Sequence, residues 1–251
     1  MPLPPRLLLP FVPLAIGVAL GFIEPIGLTV ACLFIALVLA PLRLPDWLWC
    51  SLVILASLLM AAHQLPGFDP WVVGSATRIS DDAPPYLLRL SWDKLLVGCT
   101  LLAWWLGRTS PQADKSMLAV PVCLLTLAVV PGLALLSGVM GWQPKWPEMF
   151  WPWLIINLGV AVLAEELLFR GLLQPRLIGW LGPWQGITCT ALLFGAAHIP
   201  FSPPFAAVAA VAGIGYGLAF HVTGRLSIAI ALHGLVNLLH FTLLSYPLRL
   251  G

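Results

Sequence analysis

Ala164-Glu165-Glu166-Leu167-Leu168-Phe169-Arg170 sets two adjacent carboxylates and an arginine inside an apolar run. Trp151 to Leu163 before it carries no charge, and Gly171, Leu172 and Leu173 continue the run behind it. An ionised side chain at bilayer depth costs roughly 2.5–3.5 kcal/mol on insertion scales, so such residues in a span are read first as functional. Glu166 and Arg170 are spaced i, i+4, which predicts an internal ion pair on one helix face. Glu165 is rotated about 100° from its neighbour and points elsewhere. Glu166 is therefore read as structural and Glu165 as chemical.

The surrounding chain has the composition of a membrane protein. Of its 251 residues, 60% are hydrophobic and only 9% charged, with a mean hydropathy of +0.98. A soluble domain carries about 25% charged residues. A net charge of +2 without any lysine or arginine cluster argues against a nucleic-acid partner. The five cysteines, Cys32, Cys50, Cys99, Cys123 and Cys189, all lie in apolar runs without a C-x-x-C pair, and read as small buried hydrophobes. Ten of the 12 tryptophans, Trp47, Trp49, Trp104, Trp105, Trp142, Trp146, Trp151, Trp153, Trp180 and Trp184, gather at the edges of apolar runs, as an interfacial belt does.

Runs of about 20 apolar residues mark candidate spans. They fall at 7–23, 26–42, 46–62, 92–107, 117–140, 150–172, 184–199, 204–222 and 226–246. The expected fold class is all-α: a polytopic transmembrane helical bundle of about eight or nine spans, with a catalytic pocket inside the C-terminal helices. Arg6 precedes an apolar run that lacks a small-x-small cleavage site, so the first span is expected to stay uncleaved. Gln64 to Ser91 is the long polar connection, and Asp93 and Lys94 make the fourth span the weakest. Loop charges place Arg6, Arg43, Arg108, Lys115, Arg170, Arg176 and Arg225 on one side, against Arg78, Arg89, Lys94, Lys145 and Arg249. This is a slim positive-inside majority for a cytoplasmic N-terminus. Residues 1–148 form an N-terminal helical region and residues 149–246 a catalytic core, because the polar residues suited to chemistry fall almost entirely after Glu148.

Those residues are His198, His233 and Asn237, with Phe194 beside the first. Gly179 to Pro183 is a helix break. With Gly182 as the turn, Glu165 lies 17 residues before it and His198 lies 16 after it, so a helical hairpin predicts both at the same depth. His233 and Asn237 are i, i+4 and share one face of the last span. A buried carboxylate beside an imidazole suits general-base work. A second imidazole and an amide, held in place, suit hydrogen bonding to an oxyanion. Together these parts run the attack of water on a peptide carbonyl, with no serine or cysteine paired to a base. His221 and His240 read as packing or interfacial residues, and His63 as interfacial. Gly213, Gly215 and Gly217 of G-I-G-Y-G read as sites of close helix packing, not as a phosphate loop.

E-E-x-x-x-R (Glu165, Glu166, Arg170), F-x-x-x-H (Phe194, His198) and H-x-x-x-N (His233, Asn237), in that order, resemble the CAAX-processing and bacteriocin-processing (CPBP, or ABI) intramembrane proteases. The resemblance covers roughly 150–240. It implies that Glu165 and His198 activate water, that His233 and Asn237 form an oxyanion hole, and that Glu166, Arg170 and Phe194 support the site. The expected activity is endopeptidase cleavage near the C-terminus of a membrane-associated protein, of the CAAX type or on a C-terminal sorting tail. The expected partners are a protein or peptide substrate with a membrane-anchored tail and the lipid bilayer. The expected location is integral and multi-pass, in the plasma or inner membrane if the host is prokaryotic. No cofactor is expected. Zinc on Glu165, His198 and His233 is the alternative, disfavoured by the lack of an H-E-x-x-H pair. Two other readings stand beside the protease: a non-catalytic membrane scaffold or immunity protein of the same fold, and a transporter using Glu165 as a proton relay.

Overall fold

The computed structural model describes residues 4–108 and 116–249. Lys115, counted above among the loop charges, lies outside the described residues. A short 3-10 turn, Pro5–Leu8, leads into α1 (Phe11–Ala19), α2 (Pro25–Leu39) and α3 (Asp46–Ala61). Two-residue strands β1 (Trp71–Val72) and β2 (Arg89–Leu90) pair antiparallel across the polar connection. Then come α4 (Trp92–Trp105), α5 (Ala119–Leu136), the long α6 (Phe150–Leu181), α7 (Pro183–Ala196), α8 (Pro203–Thr223) and α9 (Leu226–Leu243). The all-α expectation holds.

The number of spans does not reach eight or nine. Four helices among the described residues, α5, α6, α8 and α9, are long and apolar enough to cross a membrane. The 16 residues of α3 reach only about 24 Å at 1.5 Å per residue, short of a ~30 Å hydrocarbon core. Breakers inside the apolar runs cut the other helices down. Gly21 (φ 78°) ends the first run, Pro41 and Pro45 separate α2 from α3, and His63 (φ 56°) turns the chain after α3. Pro200 and Pro203 hold α7 to 14 residues, and α4 has the same length.

The chain divides into two compact units. Unit 1 joins residues 1–73 and 89–109 to residues 155–168 of α6. Its central helix is α4, which packs against α1, α2, α3 and this part of α6. Leu96, Val97 and Leu101 of α4 are buried there. The Trp49 indole N–H donates to the Leu37 carbonyl at 2.8 Å and its ring lies 5.7 Å from that of Trp104, tying α2, α3 and α4 together. Gly27 and Gly67 bring two backbones into direct contact. A Cβ on Gly27 would sit 2.0 Å from the Gly67 carbonyl oxygen.

Unit 2 holds residues 74–88, 110–154 and 169–251. Here α8 is central, packed against α5, α7 and α9. Its glycines serve close packing, each toward a different neighbour. A Cβ on Gly213 would lie 3.1 Å from Ala191 of α7, one on Gly215 2.3 Å from Thr126 of α5, and one on Gly217 2.8 Å from Gln174 of α6. Gly182 makes the α6–α7 turn with φ 83°, a conformation that favours glycine. Trp153 is not part of an interfacial belt. It is buried, stacked on Phe241 at 3.9 Å, and its indole N–H donates to the Tyr246 hydroxyl at 2.9 Å. Past α9, a strap is pinned by Ser245, whose hydroxyl donates to Asp82 at 2.7 Å and accepts from the Gly141 N–H at 2.8 Å.

Candidate active site

α7 ends where its sequence runs out of helix and into Pro200. The last carbonyls of a helix have no intrahelical partner. The His198 backbone N–H bonds to Gly195 O, one residue short of the α-helical partner, and so leaves Phe194 O to be satisfied otherwise. The His198 ring does this. Its Nδ1 bonds to Phe194 O at 2.8 Å. A carbonyl only accepts, so Nδ1 carries a proton, and in the neutral ring Nε2 then presents its lone pair. The local chain ending thereby fixes a histidine in the tautomer a proton acceptor needs.

Phe194 is the hub around which the aromatic residues of unit 2 are arranged. Its buried ring lies 5.1 Å from Phe169, 4.7 Å from His198 and 5.7 Å from His233. The Arg170 guanidinium sits 4.5 Å above it and 5.2 Å from the Tyr216 ring. Such stacking suits a planar, weakly hydrated cation in an apolar interior. Arg170 is fully buried and not a loop charge, which corrects the side-counting above. It donates to Gly213 O at 3.1 Å, and Gln174 one turn later donates to Gly217 O at 2.9 Å. These parallel bonds clamp α6 against α8, where Gly213 and Gly217 leave room for the approach.

His233 is buried on α9 with its ring stacked on Tyr216 at 4.6 Å and 15°. His198, His233 and Asn237 line one cavity of about 60 Å³, together with His240. Its walls are otherwise mainly aliphatic, among them Val130 and Ala134 of α5, Val208 and Ala212 of α8 and Val236 of α9. At ~10–15 Å³ per water, this space holds a few water molecules or one polar reacting group. His240, expected to be a packing or interfacial residue, has a packing role: its Nε2–H donates to Ser245 O at 3.0 Å, joining the cavity wall to the C-terminal strap.

Glu165 and Glu166 belong to unit 1. They occupy a single α-turn, Leu163–Glu166, between π-helical stretches Asn157–Val162 and Leu167–Leu173 of α6. Such wide turns interrupt α-helices mostly at functional sites. Glu166 is fully buried, whereas Glu165 is partly accessible and pairs with Lys94 Nζ at 3.3 Å. Within neither unit do three His, Cys, Asp or Glu side chains of the described residues gather closely enough to hold a metal ion.

Residues 147–239 match the family model of type II CAAX prenyl endopeptidase Rce1-like proteins. This region belongs to the CPBP/CAAX protease family. The CPBP/CAAX family is one of integral membrane proteases, which agrees with the four long apolar helices, and the chain is an integral membrane protein. No curated relative and no solved structure matches the chain. The CPBP/CAAX match contains Glu165, Glu166, Arg170, Phe194, His198, His233 and Asn237.

Three groups around these residues escaped sequence reasoning. Tyr216 lies within G-I-G-Y-G, whose glycines drew the attention, although an aromatic residue between packing glycines is itself a signal for a stacking partner. Lys94 lies outside the CPBP/CAAX match and reads as a charge that weakens a span. His63, expected at an interface, pairs with buried Asp93 at 2.7 Å.

Proposed function

We propose that this protein is an intramembrane endopeptidase that hydrolyses a peptide bond near the C-terminus of a membrane-anchored protein. The observation that carries the reading is the unit 2 cavity lined jointly by His198, His233 and Asn237, inside the region that matches the CAAX endopeptidases. In the proposed reaction a water oxygen attacks the scissile carbonyl carbon while Glu165, with His198 Nε2, takes the water proton. The carbonyl π pair becomes an oxyanion, held by N–H donors of His233 and Asn237. As the adduct collapses the C–N bond breaks, the proton passes to the leaving nitrogen, and a carboxylate and an amine are released. Glu166 and Arg170 orient the helix that carries Glu165, and Phe194 positions the His198 ring.

The aliphatic cavity wall supports a substrate with apolar side chains beside the scissile bond, as in a lipid-modified CAAX tail. A sorting tail anchored by its own span is the second substrate class. Each step is assigned to residues of this chain, and none requires a metal.

The test is cleavage of a prenylated CAAX reporter peptide in proteoliposomes by wild type, Glu165→Ala and His198→Ala, with and without chelator. The proposal expects activity in wild type alone, unaffected by chelator. Activity lost to chelator and restored by zinc contradicts the metal-free scheme. A folded wild type that cleaves neither a prenylated nor a span-anchored tail contradicts the protease reading and favours a scaffold.

A further inference from the structure

Lys94 stands in the first turn of α4, where the helix dipole disfavours a cation. Two anions answer it. Asp93 accepts the Lys94 backbone N–H at 2.8 Å through Oδ1 while its Oδ2 holds His63 at 2.7 Å, which fixes the start of the helix. The Lys94 ammonium reaches Glu165 Oε1 at 3.3 Å, with both side chains about one-fifth exposed. One turn further along α4, Gly98 faces Ala164, the residue next to Glu165; a Cβ built on Gly98 would lie 3.5 Å from it, at ordinary van der Waals contact. The same face of α4 thus seats the backbone of the Glu165 turn and grips its carboxylate. All these groups belong to unit 1.

We propose that Lys94 is a positioning residue for the reaction: its ammonium holds the Glu165 carboxylate in the orientation the base needs, so that a residue outside the matched region serves the turn that carries Glu165. The inference rests on the endopeptidase reading and on the assignment of Glu165 as base. A carboxylate that takes a proton from water must present its oxygen to that water, and a cation held at ion-pair distance fixes where the Glu165 oxygens lie without being consumed. Glu166 follows Glu165 in the chain, and Asp93, which precedes Lys94, is itself paired with His63. A role in positioning is separable from a role in packing, because only the first depends on the charge of residue 94.

The experiment measures kcat and KM on the prenylated CAAX reporter for wild type, Glu165→Ala, Lys94→Met, Lys94→Gln and Lys94→Arg, with detergent unfolding of each. The proposal expects Lys94→Met and Lys94→Gln to lower kcat by about tenfold or more, with KM within about twofold, since the lost effect belongs to the transition state. Lys94→Arg retains most of kcat because it restores the charge. Lys94→Gln keeps a polar side chain of similar reach, so it answers the question even where Lys94→Met fails to fold. A folded Lys94→Gln with wild-type kcat overturns the proposal, as does Lys94→Arg falling as far as Lys94→Gln. If wild type and Lys94→Gln cleave alike while Glu165→Ala is inactive, the inference fails and the endopeptidase reading stands. If folded wild type cleaves neither this reporter nor a span-anchored tail, both fall.

Discussion

His198 gives its Nδ1 proton to the carbonyl of Phe194, four residues earlier, at 2.8 Å. One bond thereby satisfies a helix-terminal acceptor and fixes the imidazole tautomer. In histidine-labelled protein, ¹⁵N NMR is expected to show the neutral His198 ring as the Nδ1–H tautomer, with the Nδ1 proton in a hydrogen bond. The opposite tautomer removes His198 Nε2 as a proton acceptor.

Phe194 is expected to be the most costly aromatic residue of unit 2 to truncate. Its ring supports Arg170, His198 and His233 together. Phe194→Ala leaves a cavity and takes the nearest ring from the buried Arg170 guanidinium, with a loss of about 3–5 kcal/mol in reversible detergent unfolding. A loss below about 1 kcal/mol shows that the cluster does not depend on this ring.

Gly215 has no space for a side chain, since a Cβ would meet Thr126 Oγ1 at 2.3 Å and Cγ2 at 2.5 Å. Gly215→Ala is expected to destabilise the protein by about 1–3 kcal/mol through overpacking. Adding Thr126→Ala removes both clashing atoms and recovers part of the loss. Double-mutant unfolding measurements check this. Strict additivity of the two losses contradicts the contact.

What could be read in the sequence follows the range of the interaction. The Gly182 turn, the packing glycines of α8 and the F-x-x-x-H relationship of Phe194 and His198 are local, set by backbone freedom and helix spacing. The Lys94–Glu165 pair joins residues 71 positions apart, and Ser245 reaches Asp82 across 163. Nothing in the spacing of either pair announces its partner. The excess of expected spans has a physical source as well. Apolar residues alone set the count, while Gly21, Pro41 and Pro200 decide where the helices stop. Trp153 illustrates the same limit. An aromatic residue at the end of an apolar run fits an interface equally well, until Phe241 is found stacked upon it.

Burial raises the Tyr86 hydroxyl above its usual 10.0, against a smaller lowering by Tyr246, and burial also raises Tyr246 well above that value. Both groups hold their proton more tightly in the folded protein than in the unfolded chain. Their contribution is complete below pH 10.0 and is lost as pH climbs from there through the folded-state values. Unfolding measured from pH 8 to 11 is expected to show stability falling above about pH 10. Tyr86→Phe makes that fall shallower. An unchanged alkaline slope in Tyr86→Phe contradicts the account.

The account centres on a carboxylate at Glu165 that takes a proton from water. Its most direct test is the single-turnover rate of prenylated-reporter cleavage by Glu165→Gln beside wild type, in proteoliposomes at saturating enzyme. Glutamine keeps the size and polarity of the side chain and removes its basicity. General-base catalysis contributes about 10²–10⁴-fold, so the variant is expected to fall by at least about 100-fold while folding normally. A folded Glu165→Gln that cleaves within about threefold of wild type contradicts the central claim and moves the base elsewhere.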